Sequence, residues 1–338
     1  MLITPISSYL RQRLIIYDNS DSLYVLNERA RKEQIMKIKF TALIVAFIVL
    51  VITICSCRND GGRTEGADTN LQTEPETVFS YDDYAVDDAR YINKRTVSSY
   101  CCTNEALIPE GTAVTGFVLE FPGLDGNSCL GGSMDNMIVY NNSFTKECAG
   151  RGIVVAYMFP GPWSWMNKGA VRITDLVVDA LADKYGLSEG EFSLVVMGGS
   201  MGGQAALIYS MDSRHKIDAC VAHCPCYNVV ECFSSHEAFP RTFLSAVNAY
   251  DMPLEEALLT ISPEQRTADL PKIPYLVTAD ELDEVFPVKG VERFVGGMKD
   301  AGHSVTYLRL ADQKHGGISQ ADRDVMNAFV LKYSKINK

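Results

Sequence analysis

Short apolar runs recur along the chain at 113–121, 153–159, 194–197, 217–223 and 273–278. They scarcely alternate with polar residues, the pattern of strands buried on both faces of a parallel sheet. Between two of them, Ile173, Leu176, Val177, Ala180 and Leu181 recur at helical spacing with Asp175, Asp179 and Asp183 opposite, and Gly186 closes the segment as a C-cap glycine would. Ser304–Leu310 alternates enough for a last strand. Ser319 and Asp322 then resemble a capping box for a terminal helix that buries Met326, Phe329, Val330 and Tyr333. Strands alternating with helices predict an α/β fold, a mostly parallel central sheet flanked by helices on both faces. Edge strands are expected within Tyr91–Glu110, before the turn at Pro109-Glu-Gly111. From 227 to 269 no strand pattern appears, and Phe233, Phe239, Phe243, Leu254 and Leu258 lie in expected helices. That insertion is expected to be a helical lid over the catalytic edge.

The stretch that organises the rest is Leu194-Val-Val-Met-Gly-Gly-Ser-Met-Gly-Gly-Gln-Ala-Ala-Leu207. It reads as strand, sharp turn, helix. Gly198 and Gly202 flank Ser200 because side chains there would collide across so tight a turn, and the turn lifts the serine hydroxyl clear of its neighbours. The alternative is a glycine-rich turn whose serine merely caps a helix.

Candidate chemistry falls on the loops that follow the strands. Pro122-Gly-Leu124-Asp-Gly126 leaves backbone N–H groups exposed after a central strand. Trp163 and Trp165 sit on the next loop, either as a substrate-binding surface at the ligand-collecting edge of the sheet or as an aromatic plug over the core. Asp283-Glu-Val-Phe-Pro287 and His315-Gly-Gly317 follow the last two strands.

Together Gly198-Gly-Ser200-Met-Gly202, Asp283-x-x-x-Pro287 and His315-Gly-Gly, in the order Ser, Asp, His, resemble the α/β-hydrolase superfamily from about Val97 to the C-terminus. The resemblance implies a catalytic domain over 91–338 and a triad of Ser200 as nucleophile, His315 as base and Asp283 as its orienting acid. It also implies an oxyanion hole from the backbone N–H groups of Met201 and Leu124, although Pro122 stands where the family more often has histidine. Asp280 and Glu281 are rivals for the acid, and His303 and His223 for the base. The resemblance calls for no cofactor. The Gly-Gly-Ser-Met-Gly-Gly form is similar to that of prolyl-oligopeptidase-like peptidases and of carbohydrate or feruloyl esterases. With few residues between Cys57 and the first strand, no propeller domain is expected, so a compact carboxylic ester hydrolase is the first reading. A small serine peptidase is the second, and a non-catalytic, lipid-anchored binding protein on a hydrolase scaffold the third.

Composition narrows the partners. The 338 residues are 47% hydrophobic and 22% charged, as in a globular protein, and a net charge of −11 disfavours nucleic acid. A small-molecule, glycan-linked or peptide-linked acyl substrate remains. Met36-Lys-Ile-Lys39, the apolar run Phe40–Ser56 and Ile54-Cys-Ser-Cys57 resemble a bacterial lipoprotein signal peptide with lipid attachment at Cys57. An uncleaved membrane anchor is the alternative, and either places the protein in the cell envelope, facing periplasm or exterior. Residues 1–35 read as an extension whose start is misassigned or as a cytoplasmic tail, and 58–90 as a polar tether. The later cysteines permit disulfides in an exported protein. Cys224-Pro-Cys226 lacks the two-to-four-residue spacing of structural zinc pairs, so no metal is expected there. If the signal is processed, the native protein should have the intact mass of a chain beginning at a lipidated Cys57; a mass that retains residues 36–56 supports the uncleaved anchor.

Overall fold

The computed structural model describes residues 88–124 and 141–334. The signal, Cys57 and most of the tether therefore lie outside the described residues. None of the described helices is long and apolar enough to cross a membrane.

A seven-stranded sheet forms the centre, in the order β1-β3-β2-β4-β5-β6-β7. Its strands are β1 (Cys101–Thr103), β2 (Gly116–Phe121), β3 (Ile153–Met158), β4 (Ser193–Gly199), β5 (Ala219–His223), β6 (Pro274–Asp280) and β7 (Ser304–Leu310). Only β1 runs antiparallel to its neighbour; the other five pairings are parallel. The helices are α1 (Asp88–Tyr91), α2 (Ser143–Gly150), α3 (Lys168–Tyr185), α4 (Met201–Asp212), α5 (Phe239–Val247), α6 (Leu254–Thr260), α7 (Val288–Asp300) and α8 (Gln320–Tyr333).

Two cores show why the strand sequences are apolar on both sides. Phe117, Leu119, Leu194 and Val196 face one way and pack with Val177, Leu207 and Phe294 of α3, α4 and α7. Val118, Val195 and Val221 face the other and pack with Phe144 of α2 and Met326 and Val330 of α8. Adjacent residues of one strand thus enter opposite cores, as period-2 geometry requires. The helix boundaries follow their caps: Asn167 accepts from the Ala170 N–H at the start of α3, Gly186 ends it with φ 68°, and Ser319 caps α8 through Asp322.

Between Tyr91 and Glu110 the expected edge strands shrink to β1, with single helical turns at Val97–Ser99 and Glu105–Leu107. Polar side chains explain the difference, because they offer the backbone local bonds that compete with a ladder. Asn93 accepts from Arg95 N–H and Asn104 donates to the carbonyls of Thr145 and Ile153. The 227–269 segment is helical, as expected, containing α5, α6 and short turns at Glu231–Ser234 and Glu264–Asp269. The described cysteines 101, 102, 148, 220, 224, 226 and 232 carry free thiols.

Glu105 ties this irregular edge to α3. Its carboxylate accepts from Lys184 Nζ at 2.6 Å and from the Tyr185 hydroxyl at 3.1 Å. Burial pushes its pKa up, but the bond and charge of Lys184, with Tyr185 and Thr103, outweigh burial and hold it below the ordinary glutamate value. A depressed carboxyl stabilises the fold above the unfolded pKa and stops doing so as pH falls through the folded one. The difference in melting temperature between the parent and Glu105→Gln should therefore be largest near neutrality and close as pH falls below about 4; a difference independent of pH would show that the ion pair contributes nothing.

Candidate active site

The site begins with a backbone constraint. Ser200 joins β4 to α4 with φ 58° and ψ −123°, an uncommon conformation for a residue with a side chain, costing of the order of 1–3 kcal/mol. The surrounding contacts impose it. A Cβ on Gly198 would lie 2.4 Å from the Gly202 carbonyl oxygen, and one on Gly202 would lie 2.1 Å from that of Phe121. Ser200 N–H donates to the His223 carbonyl at 2.9 Å, binding the turn to β5, and Gln204 N–H donates to the Ser200 carbonyl at 3.1 Å. The Gln204 side chain then donates to the carbonyls of Trp165 and Ile261, fixing the first turn of α4 from both sides.

Two further loops deliver the partners of Ser200. After β6 the chain turns through Leu282 to Asp283, whose side chain has no solvent exposure. Its Oδ1 accepts from the backbone N–H groups of Val285 and Phe286 at 2.7 and 2.9 Å. Its Oδ2 meets His315 Nδ1 at 2.8 Å, and His315 Nε2 lies 2.9 Å from Ser200 Oγ. A carboxylate can only accept, so the proton sits on Nδ1 and leaves Nε2 as acceptor for the serine hydroxyl. The edge of Phe286 supports the imidazole, ring centroids 5.2 Å apart at 76°. Ser200, Asp283 and His315 are thus brought together as one hydrogen-bonded chain, an arrangement able to deprotonate a serine hydroxyl.

The rival residues have other partners. His303 Nε2 bonds the Thr267 carbonyl before β7. Asp280 is fully buried and its Oδ2 accepts from Gly316 N–H at 2.7 Å, so it holds the histidine loop rather than the imidazole. Burial pushes the Asp280 carboxyl above its ordinary value despite the opposing pull of His223 and the Gly316 N–H. Burial also lowers the pKa of His223, against the pull of Asp280. Glu281 pairs with Arg309 at the surface.

A cleft of about 380 Å³ opens beside Ser200, with Phe121, Leu124, Phe239 and Val285 among its walls. The Pro122–Leu124 loop reaches it: a Cβ on Gly123 would be 3.9 Å from that of Ser200. Met201 is the first residue of α4, so its N–H has no partner within the helix. A larger hollow of about 820 Å³, lined by residues of α3 and α6 such as Val171 and Leu259, shares no lining residue with the cleft and holds none of the three partners.

The tryptophans do not line the cleft as a substrate surface. Trp165 is fully buried, its ring centroid 4.3 Å from Phe243 and 5.5 Å from Phe239. Trp163 lies beneath the Arg241 guanidinium at 4.7 Å. Left-handed backbone at Trp163, Trp165 and Met166 accompanies this turn, and burying indole against α5 favours the plug. The sequence had instead hidden Glu120, Tyr157, His236 and Phe239, all of which line the cleft. Glu120 and Tyr157 carried a faint signal as polar atoms near the C-terminal ends of apolar runs. His236 and Phe239 lie in the insertion expected to cover this edge, but nothing in the sequence singled them out from its other residues.

The sheet and the matched structures define a fold of the α/β-hydrolase type. The prolyl oligopeptidase family model matches residues 164–336, and the chain belongs to that family. No curated protein matches the sequence. Among solved structures it is similar to Pyrococcus horikoshii acylaminoacyl peptidase, with 14% identity, TM-score 0.52 and coverage of 68% of this chain and 38% of that one. It is also similar to esterase B from Lactobacillus rhamnosis, with 11% identity, TM-score 0.51 and coverage of 67% and 77%, and to Porphyromonas gingivalis dipeptidyl peptidase 4, with 13% identity, TM-score 0.50 and coverage of 66% and 31%. Such identities show a shared fold. The chain spans well under half the length of the two peptidases.

Gly202→Ala should test the turn. A methyl placed 2.1 Å from the Phe121 carbonyl must push α4 away from β2, costing about 1–3 kcal/mol as other overpacked interiors do. Urea unfolding should show that loss, whereas an unchanged midpoint would mean the contact is soft.

Proposed function

We propose that the protein is a cell-envelope, membrane-anchored serine hydrolase that cleaves carboxylic esters through an acyl-enzyme on Ser200, His315 and Asp283. The observation that carries this reading is the unbroken bonding from Asp283 Oδ2 through both ring nitrogens of His315 to Ser200 Oγ, at 2.8 and 2.9 Å. His315 Nε2 takes the serine proton as Oγ attacks the acyl carbon. Asp283 stabilises the imidazolium so formed, and the imidazolium then protonates the departing alkoxide. The same base activates water to release the acid. The N–H groups of Met201 and Leu124 receive the oxyanion of each tetrahedral intermediate. Leu124, which lines the cleft, follows Gly123, where a Cβ would lie 3.9 Å from that of Ser200.

The apolar walls Phe121, Leu124, Phe239 and Val285 suit the acyl chain of a small ester. Residues 227–269 act as the lid in this reading, with His236 and Phe239 at the cleft in support. Anchoring at Cys57 rests on the signal-like sequence alone. A peptidase is the second reading, favoured by the family match and by Glu120 at the cleft, where a carboxylate could meet a peptide amine.

A fluorophosphonate probe should label the parent and leave Ser200→Ala unlabelled. Asp283→Asn should lower kcat by about four orders of magnitude with a small effect on KM, since it leaves the geometry but changes the tautomer. Absence of labelling in the folded parent would favour the non-catalytic binder. A panel of p-nitrophenyl acyl esters beside aminoacyl-anilides then divides esterase from peptidase: turnover confined to anilides overturns the ester reading.

A further inference from the structure

Beside Asp283 and His315 stand two further side chains, Cys224 and Asp280, that the hydrolytic step does not call on. One ligand atom each from Cys224, Asp280, Asp283 and His315 fall within 4.8 Å of one another. Three of the four residues are buried, and His315 borders the cleft. The four atoms come from three segments that converge only in the fold: the residue after β5, the end of β6 with the loop that follows it, and the loop after β7.

Two features set this group apart from ordinary buried packing. Asp280 has no solvent exposure, yet its Oδ1 has no hydrogen-bond partner; His223 Nδ1 stands 4.0 Å away and bonds Thr278 Oγ1 instead. A buried carboxylate oxygen left so is costly unless a cation or donor reaches it. Cys224 adopts φ 36° and is fully buried, with its sulfur within 4.8 Å of a carboxylate oxygen of Asp280 and of Asp283. Its side chain is therefore held toward the acids by a strained backbone, not directed into the apolar core. Cys226 and Cys232, by contrast, contact each other and take no part in the group.

We propose that Cys224, Asp280, Asp283 and His315 form a binding site for a thiophilic divalent cation, zinc above all, and that occupancy switches the hydrolase off. Sulfur, imidazole and carboxylate oxygen make up a zinc-type donor set. Tetrahedral zinc with bonds of about 2.0–2.3 Å spaces its ligands about 3.3–3.7 Å apart, so a pair near the 4.8 Å limit draws in by about 1 Å while Asp283 Oδ2 and His315 Nδ1, now 2.8 Å apart, part by about half an ångström. The dication offsets the charge of two adjacent buried carboxylates and reaches Asp280 Oδ1, which no hydrogen bond meets. Its entry is from the cleft, past the half-buried His315.

Inhibition follows from which nitrogen is taken. In the resting site the His315 proton is on Nδ1, and Nε2 accepts from Ser200. Zinc bound at Nδ1 takes that position, and the proton moves through solvent to Nε2, leaving the imidazole neutral. The Cys224 thiol proton leaves to water as the Zn–S bond forms. Nε2 then carries a hydrogen and cannot accept another from Ser200, so the nucleophile is no longer activated. Zinc therefore acts without touching Ser200 and without blocking the cleft.

The binding half of the proposal stands apart from the serine hydrolase reading; the inhibition half rests on it. Equilibrium dialysis of the full chain against zinc chloride, under a phosphine reductant, should find one tightly held zinc in the parent and in Ser200→Ala, which cannot turn over. Cys224→Ala and Cys224→Ser should each bind zinc at least tenfold more weakly, while Cys226→Ala should bind as the parent does. Cobalt in place of zinc should give a thiolate-to-metal charge-transfer band in the parent that vanishes in Cys224→Ala. On the ester panel, zinc should inhibit the parent at concentrations at least tenfold below those needed for Cys224→Ala, each measured against its own metal-free rate. Zinc binding unchanged in Cys224→Ala, its loss in Cys226→Ala, or a cobalt complex without a thiolate band would each overturn the site. Binding without inhibition in a parent that hydrolyses esters would overturn the switch alone. A parent that binds zinc but hydrolyses nothing would sink the hydrolase reading and leave the cation site in place. Circular dichroism on each variant establishes that it is folded, and the cobalt spectrum of the parent stands whether or not a given variant folds.

Discussion

The approach of the α4 backbone to β2, where a methyl on Gly202 would lie 2.1 Å from the Phe121 carbonyl, sets the position of everything at this edge of the sheet. With α4 drawn that close, the chain leaving β4 has no room for a relaxed connection, and Ser200 takes up a left-handed conformation. The serine side chain then stands above the strand ends instead of against them. Its N–H is committed to His223, so the turn is tied to β5 as well as to β2. Local strain at one residue is thereby held by the packing of a whole helix, most of which is buried.

Rigidity at that turn lets two otherwise irregular loops do accurate work. Asp283 receives two backbone N–H groups on one oxygen before it meets His315 on the other. The histidine loop is held in turn by Asp280, one residue along at Gly316, and by Leu282 N–H donating to the Gln313 carbonyl at 2.8 Å. The acid loop and the histidine loop therefore brace each other. The carboxylate nearest the imidazole orients it; the carboxylate behind fixes the loop on which it stands. That division explains how two acids three residues apart take different roles, a distinction set by which hydrogen bonds each can reach.

The same convergence creates an electrostatic difficulty. Two acids, a histidine and a thiol occupy a region from which water is largely excluded, and one oxygen of Asp280 is left without a donor. Interiors rarely keep such a group unless the arrangement serves something. Bracing of the histidine loop accounts for one oxygen of Asp280, and a cation accounts for the other.

Much of this was legible in the residues themselves. Period and apolarity marked the parallel strands β2 to β6, because a strand covered on both faces has no polar side to show. The glycines at 198 and 202 marked the turn, because only a close backbone approach requires them there, and the order of Ser200, Asp283 and His315 on post-strand loops followed from the hydrolase resemblance. What could not be read was anything decided by side chains distant in sequence. Trp165 looked equally suited to a binding surface or a plug until Phe239 and Phe243 of the insertion covered it. Asn104 broke the expected edge strand by bonding carbonyls of Thr145 and Ile153, partners that exist only once α2 and β3 are in place. Cys224 was weighed against Cys226, its neighbour along the chain, whereas the fold sets it against Asp280 from another strand. Local sequence records backbone preference and burial, which depend on each residue and its near neighbours; the identity of the group across a cleft depends on how separate segments pack, and that information resides in no single one of them.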